Sequence, residues 1–197
     1  MSRKLTDQGR ERRQQLLDAA ERLFAEHGYA NARIADICEA AGVAKGLFYW
    51  YFDTKHALFA DLVRSKRQQL RRAQAAAMDD AADPVTRIRQ GAEASVRFMS
   101  EHMAFFSVVA DAGRDAAIAP VLAEGADVYI TDVERLIDKA KADGHITDDA
   151  DSRLLALGVL ATVGQFAHYQ RTGTIDLDAD ALAAFVGTWV VRALTGP

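Results

Sequence analysis

Apolar residues recur along the chain at helical spacing. Leu16, Leu17, Ala20, Leu23 and Phe24 fall at i, i+1, i+4, i+7 and i+8, one face of a helix that stops at "HGY", where Gly28 is the natural C-terminal breaker. A short second helix over about 32–41 places Ile34, Ile37 and Ala41 on one side, and "AAGVAK" turns the chain at Gly42. A third helix runs from about Lys45 to Phe52. Asp53 and Thr54 are placed to cap a long fourth one over about 55–78, which "DDAADP" ends. Further helices are predicted at about 84–103, 104–112, 120–143, 151–171 and 178–194, separated by "ADAGRD", "DGHITD" and "RTGTID". No alternating apolar pattern is long enough for a sheet, so the fold class is all-α. The expected organisation is a three-helix head over 1–54, linked by the long helix to a helical bundle within 55–197.

Two short helices joined by a glycine turn after a longer helix form a helix-turn-helix, whose second short helix enters the DNA major groove. That helix carries five consecutive aromatics, Phe48, Tyr49, Trp50, Tyr51 and Phe52. At 100° per residue Phe48 and Phe52 share a core face, and Lys45, Gly46, Tyr49 and Trp50 share the opposite one, with Leu47 and Tyr51 between. The outward set suits a phosphate-lined groove. Tyrosine hydroxyls donate to phosphate oxygens, rings pack on sugars or thymine methyls, and Gly46 allows close backbone approach. Lys45 and Lys55 each stand at a helix N-terminus, where a cation is disfavoured unless an anion shares the site.

Charge sharpens this picture. The net charge of −4 hides 14 Lys/Arg against 9 Asp/Glu in residues 1–75 and 10 against 19 in the remainder, so only the head is basic. The arm residues Arg3, Lys4, Arg10, Arg12 and Arg13 extend that basic surface toward phosphates or the minor groove. The 197 residues, 50% hydrophobic and 26% charged, suffice for a sizeable core. One cysteine, Cys38, excludes an internal disulfide and is expected to pack in a helix. No apolar signal core follows the basic first residues, and the most apolar run, 154–169, is too short for a membrane span. A cytoplasmic protein without a membrane partner is expected. Nucleotide-binding glycine fingerprints, HExxH and CxxC are missing, and the five histidines lack metal-ligand spacing. Neither an enzyme nor a cofactor or metal is expected.

"GVAKGLFYWYFDTKHALF" closely resembles the TetR family of bacterial transcriptional regulators through Gly42, Val43, Lys45, Gly46, Tyr49, Tyr51, Phe52, Lys55 and Leu58. "LLDAAERLFAEHGYANARIADICEAAGV" (16–43) matches the same family upstream. The resemblance covers roughly residues 12–60. It implies DNA contact by Lys45, Gly46, Tyr49, Trp50 and Tyr51, with Lys55 on phosphate and with Lys45, Gly46, Leu47 and Trp50 reading sequence. Three departures stand out. Ala44 replaces a capping serine, Leu47 replaces a hydroxyl residue and is placed to meet a thymine methyl, and Ala32-Arg33 replaces a Thr/Ser pair. Asn31 is then the expected cap of the second helix, and Arg33 a phosphate contact.

In the body, residues 154–169 and 182–194 are apolar nearly all round and need cover on more than one side. The resemblance implies that the last two helices pair with those of a second copy. Gly158, Ala161 and Gly164 would permit close approach, with Phe185 and Trp189 supplying area. Such a homodimer would place two heads about 34 Å apart on a palindromic double-stranded operator. Phe98, Met99, Phe105, Phe106 and Val109, with Thr162, Gln165, Phe166, His168 and Tyr169, are the candidates for an apolar pocket with a few orienting polar groups. Phe98, Phe105, Phe106, Thr162, Gln165, Phe166 and Tyr169 are the strongest of them. The function expected is a repressor released from its operator by a small apolar or amphipathic effector. The competing reading is a helical bundle that binds a partner protein without DNA.

Overall fold

The structure is a computed structural model that describes residues 6–113, 118–123, 126–147 and 149–196. Ten helices are described: α1 (Asp7–Asn31), α2 (Ile34–Ala40), α3 (Lys45–Tyr51), α4 (Lys55–Ala77), α5 (Pro84–Glu101), α6 (Met103–Ala112), α7 (Ala119–Ala123), α8 (Ala126–Ala142), α9 (Ser152–Arg171) and α10 (Ala179–Thr195). The described residues contain no strand. Within the helix expected over 120–143, α7 and α8 are described, and residues 124–125 lie outside the described residues. Among the described residues no helix is long and apolar enough to cross a membrane.

By packing, the chain forms two compact units. The first takes residues up to Arg67 together with Ala104–Ala123, and the second takes Gln68–Met103 and the chain from Glu124 onward. The line between compact units therefore falls inside α4, and Ala104–Ala123 packs with the first unit.

The first unit is built on α1. Its first turn is capped by Thr6, whose Oγ1 accepts from the Gly9 N–H at 3.2 Å. Gly28, at φ 78°, bends the end of α1 in a conformation that L side chains rarely adopt. After α2, Gly42 at φ 64° closes a Schellman turn. The Val43 N–H reaches Cys38 O and the Gly42 N–H reaches Glu39 O, both at 3.0 Å. That turn aims α3 across α1 and α2. α4 opens on Thr54, whose hydroxyl accepts from the Ala57 N–H at 3.0 Å, as the sequence suggests. Leu16, Leu17, Phe24, Ile37, Phe48, Phe52, Leu58 and Phe59 close the core, joined by Phe105, Val108 and Ile118. Cys38 is buried there, and desolvation pushes its thiol pKa up. Lys66 is also buried, its charge met by Glu21 at 2.8 Å and by the Phe105 ring.

The second unit is a bundle of α5, α8, α9 and α10 around Ile88, Ala92, Val96, Ile137, Ala156, Val163, Leu182, Val186 and Val190. Three aspartates start its helices. Asp83, Asp151 and Asp178 accept from the N–H groups of Thr86, Leu154 and Ala181 at 3.0, 3.0 and 2.8 Å. α10 lies hard against α5 at Gly187, where an added Cβ would come within 2.6 Å of a Glu93 carboxylate oxygen.

Candidate nucleic-acid interface

α3 divides its aromatics as a 3.6-residue period demands. Phe48 is fully buried and Phe52 nearly so, while Tyr49 and Trp50 stand 49% and 51% exposed. Lys45 and Gly46 are exposed, and Leu47 and Tyr51 are half-buried. Burying the Phe48–Phe52 stripe anchors α3, so the opposite stripe is presented as a rigid surface. Trp50 is held in turn, its ring meeting that of Tyr51 edge-on at 4.6 Å and 88°. The reading set nominated from sequence, Lys45, Gly46, Leu47, Tyr49, Trp50 and Tyr51, is therefore one contiguous patch, with Tyr51 acting partly as its support.

Lys55 departs from expectation. Its ammonium donates to the carbonyls of Tyr29, Ala30 and Ala32 at 2.8, 3.1 and 3.0 Å and lies 4.6 Å from the Tyr29 ring centroid. All three N–H bonds are spent on the chain that leaves α1, so a phosphate would find no donor there. Partial burial lowers the pKa of the amine. The cation at the start of α4 is explained by carbonyls at the end of α1, not by a shared anion.

Arg33 also has an internal partner. Its guanidinium forks onto Asp36 at 2.7 and 2.8 Å, and those hydrogen bonds raise its own pKa and hold Asp36 below the usual carboxylate value. The pair is exposed, so a phosphate must compete with Asp36 to engage Arg33. Arg33 itself is the N-cap of α2, with no side-chain cap bond. Asn31, the expected cap, donates instead to His27 O at 3.0 Å. In the basic arm, Arg3 and Lys4 lie outside the described residues. Arg10 pairs with Asp7, Arg12 donates to Gln15 at 2.9 Å, and Arg13 pairs with Asp61 while covering the Phe52 ring.

Residues of α1 that a linear reading did not connect to α3 border the patch. Thr6, Gln8, Gly9 and Arg12 face Gly46, Leu47, Trp50 and Tyr51 across an open cleft of about 500 Å³. The approach of α1's first turn to α3 is a tertiary fact, and no local motif announces it.

The nominated effector residues divide between the two units. Phe105 is core of the first unit and Phe106 packs against that core, while Phe98 and Phe166 belong to the second unit. Gln165 and Tyr169 face outward on α9, and the Thr162 hydroxyl is turned back onto Gly158 O at 2.8 Å. Their outward face continues with Leu154, Leu157, Gly158, Ala161 and Gly164, and α10 exposes Phe185 and Trp189. Phe166 and Phe185 meet at 5.4 Å, and Phe185 stacks near Trp189. A cleft of about 580 Å³ at the end of α5 and the α9–α10 loop is lined by Ser100, Met103, Gln170, Ile175 and Leu177, and by none of the nominated residues. No group of His, Cys, Asp and Glu among the described residues is placed to hold a metal ion.

Comparison with known proteins agrees with the head's geometry. Residues 16–62 match the family model for bacterial regulatory proteins of the tetR family. The HTH-type transcriptional regulator AcrR of Shigella flexneri is 40% identical over 62 residues, which are 32% of this chain and 29% of that protein. TtgR of Pseudomonas putida, also an HTH-type transcriptional regulator, is 36% identical over 91 residues, 46% of this chain and 43% of that protein. These matches thus span less than half the length of the curated relatives. Solved structures extend the likeness to the fold of nearly the whole chain. The fatty acid degradation regulator FadR of Bacillus halodurans superposes with a TM-score of 0.81 at 23% identity, covering 98% of each chain. FadR of Bacillus subtilis, solved with stearoyl-CoA, gives 0.77 at 20% identity, covering 90% of this chain and 97% of its own. Residues 16–62 thus match the helix-turn-helix head of the tetR family of bacterial regulatory proteins, and the described residues share the all-α fold of these solved regulators.

Proposed function

We propose that the protein is a sequence-specific transcriptional repressor that binds a palindromic operator as a homodimer and is released by a small amphipathic ligand. One observation carries the DNA-binding part. α3 buries Phe48 and Phe52 and turns Tyr49 and Trp50 outward beside Lys45 and Gly46, in the basic part of an otherwise acidic chain. Two half-exposed aromatics side by side on a short rigid helix are costly to leave in water, and a groove of sugar, phosphate and base edges covers them. A bundle that binds a partner protein without DNA gives these rings no role.

The dimer rests on the outward stripe of α9 and α10. Leu154, Leu157, Phe185 and Trp189 are 65%, 42%, 48% and 52% exposed on adjoining helices that are already packed on their other sides. A second copy presenting the same stripe covers them, with two-fold symmetry matching that of a palindromic site. The outward Gln165 and Tyr169 then belong to this surface rather than to a ligand pocket. The amphipathic effector class is supported by the fold shared with a FadR solved with stearoyl-CoA. α4 contributes its first half to one compact unit and its second half to the other, and it is the element through which a ligand in the bundle would act on the head.

The test is selection of binding sites from a random duplex library by the full chain, followed by a salt series. Steep salt dependence, a palindromic consensus, and loss of binding in Tyr49→Ala and Trp50→Ala with the fold retained are expected. Stearoyl-CoA is the first effector probe and should release the selected duplex. Recovery of no enriched duplex by a folded dimer would contradict the DNA reading.

A further inference from the structure

Gly46 has no internal reason to be glycine. It lies within α3 without a positive φ, and a Cβ built on it would meet nothing within 4 Å. Glycine inside a helix costs stability relative to alanine, so an unneeded glycine that faces open space leaves room for something outside the chain. Leu47 and Trp50 flank that room, with Gln8 and Arg12 of α1 across the same cleft. The edge-on Tyr51 ring fixes the plane of Trp50, so the recess has a set shape before any partner arrives.

We infer that Gly46, Leu47 and Trp50 form a recess that reads the C5-methyl group of a thymine in the major groove. The inference rests on α3 entering duplex DNA. The walls of the recess on α3 are apolar, and its size on the Gly46 side is set by one missing methyl. The other groups that α3 offers are the Lys45 ammonium and the Trp50 indole N–H, which only donate, and the Tyr49 and Tyr51 hydroxyls, which donate as well as accept. A donor face with an apolar recess complements thymine, which presents O4 as an acceptor beside its methyl. It is a poor match for the exocyclic amino groups of cytosine and adenine. The excess of Lys and Arg over acids in residues 1–75 fits the same polyanionic occupant.

The experiment uses the full chain and the duplex that it selects from a random library. Each thymine of one half-site is replaced singly by uracil, which removes the methyl and keeps every hydrogen-bonding edge. At one or two positions the substitution should weaken binding about fourfold, the worth of one buried methyl. Gly46→Ala fills the recess with the missing carbon. Its melting temperature should equal or exceed that of the wild type, its affinity for the thymine duplex should fall at least tenfold, and its thymine-to-uracil ratio should drop to about one. A duplex that binds tightly and tolerates uracil at every position would overturn the recess and leave the DNA reading standing. Retention of the full thymine preference by Gly46→Ala would overturn it as well. If no duplex is selected, the DNA reading fails and the recess fails with it.

Discussion

Replacing Lys55 by methionine removes the ammonium and keeps an apolar stem of similar length. Three charge-assisted hydrogen bonds to carbonyls of residues 29, 30 and 32 disappear, along with the cation–π contact to Tyr29. Hydrogen bonds to charged groups contribute about 1.5–3 kcal/mol each when fully formed, and the cation–π contact about 0.5–1 kcal/mol. Water recovers part of this, since one acceptor site is exposed and the others are only partly buried, and the ammonium is no longer desolvated. A net loss of about 2–3 kcal/mol follows from discounting the gross sum roughly by half or more. For a chain of this size that lowers the melting temperature by about 4–10 °C. The assay is thermal unfolding by circular dichroism, paired with operator affinity across a salt series well below the transition. A phosphate contact behaves oppositely. Losing it lowers the slope of log K against log salt by about 0.9 and leaves the melting temperature nearly unchanged. A Lys55→Met protein with unaltered stability and a slope reduced by about one would refute the assignment of Lys55 as the tie between α1 and α4.

Neighbouring positions in α3 should separate fold from function: Phe48→Ala costs about 3–5 kcal/mol of stability by cavity formation, while Trp50→Ala leaves the melting temperature within a few degrees and abolishes operator binding. Asp83 caps α5 through the Thr86 hydroxyl and N–H, which hold its pKa below the usual 3.8. Its contribution of about 1 kcal/mol is therefore complete above that value and is lost as pH falls through the lowered one. Denaturant titrations of Asp83→Ala should show the deficit at pH 7 and a difference from wild type that shrinks as the pH falls below 3.8. Gly158 and Gly164 sit within α9 with nothing within 4 Å of a built Cβ. Gly158→Ala combined with Gly164→Ala should raise helix stability by up to about 1 kcal/mol per site while weakening the homodimer at least tenfold in sedimentation equilibrium. An unchanged dimer would move the interface off α9.

What the sequence revealed was what its local period could carry. Phe48 and Phe52 had to share a face, and Tyr49 and Trp50 the opposite one, so the reading patch was legible before any coordinates. Thr54 and the Gly42 turn were legible for the same reason, because capping and left-handed glycines act within a few residues. Periodicity places residues on a common face without saying what that face meets. Gln165 and Tyr169 do lie together at i, i+4, but the face is the outward one. The carbonyl partners of Lys55 were not legible because they lie more than twenty residues upstream and reach it only through the kink at Gly28. Arg33 pairs with Asp36 three residues away, a spacing that the sequence carries and that the expectation of a phosphate contact did not consider. Phe105 and Phe106 pack in the head's unit because α6 returns to it, which composition does not disclose.

The central claim is that Trp50 meets DNA, and the chain offers a direct probe because it has two tryptophans, Trp50 and Trp189. Incorporating 5-fluorotryptophan gives one fluorine resonance for each, assigned through Trp50→Phe. Titration with the selected duplex should shift and broaden the Trp50 resonance in proportion to the bound fraction while that of Trp189, far along the chain on α10, stays in place. A duplex that binds to saturation with the Trp50 resonance unmoved would contradict the account.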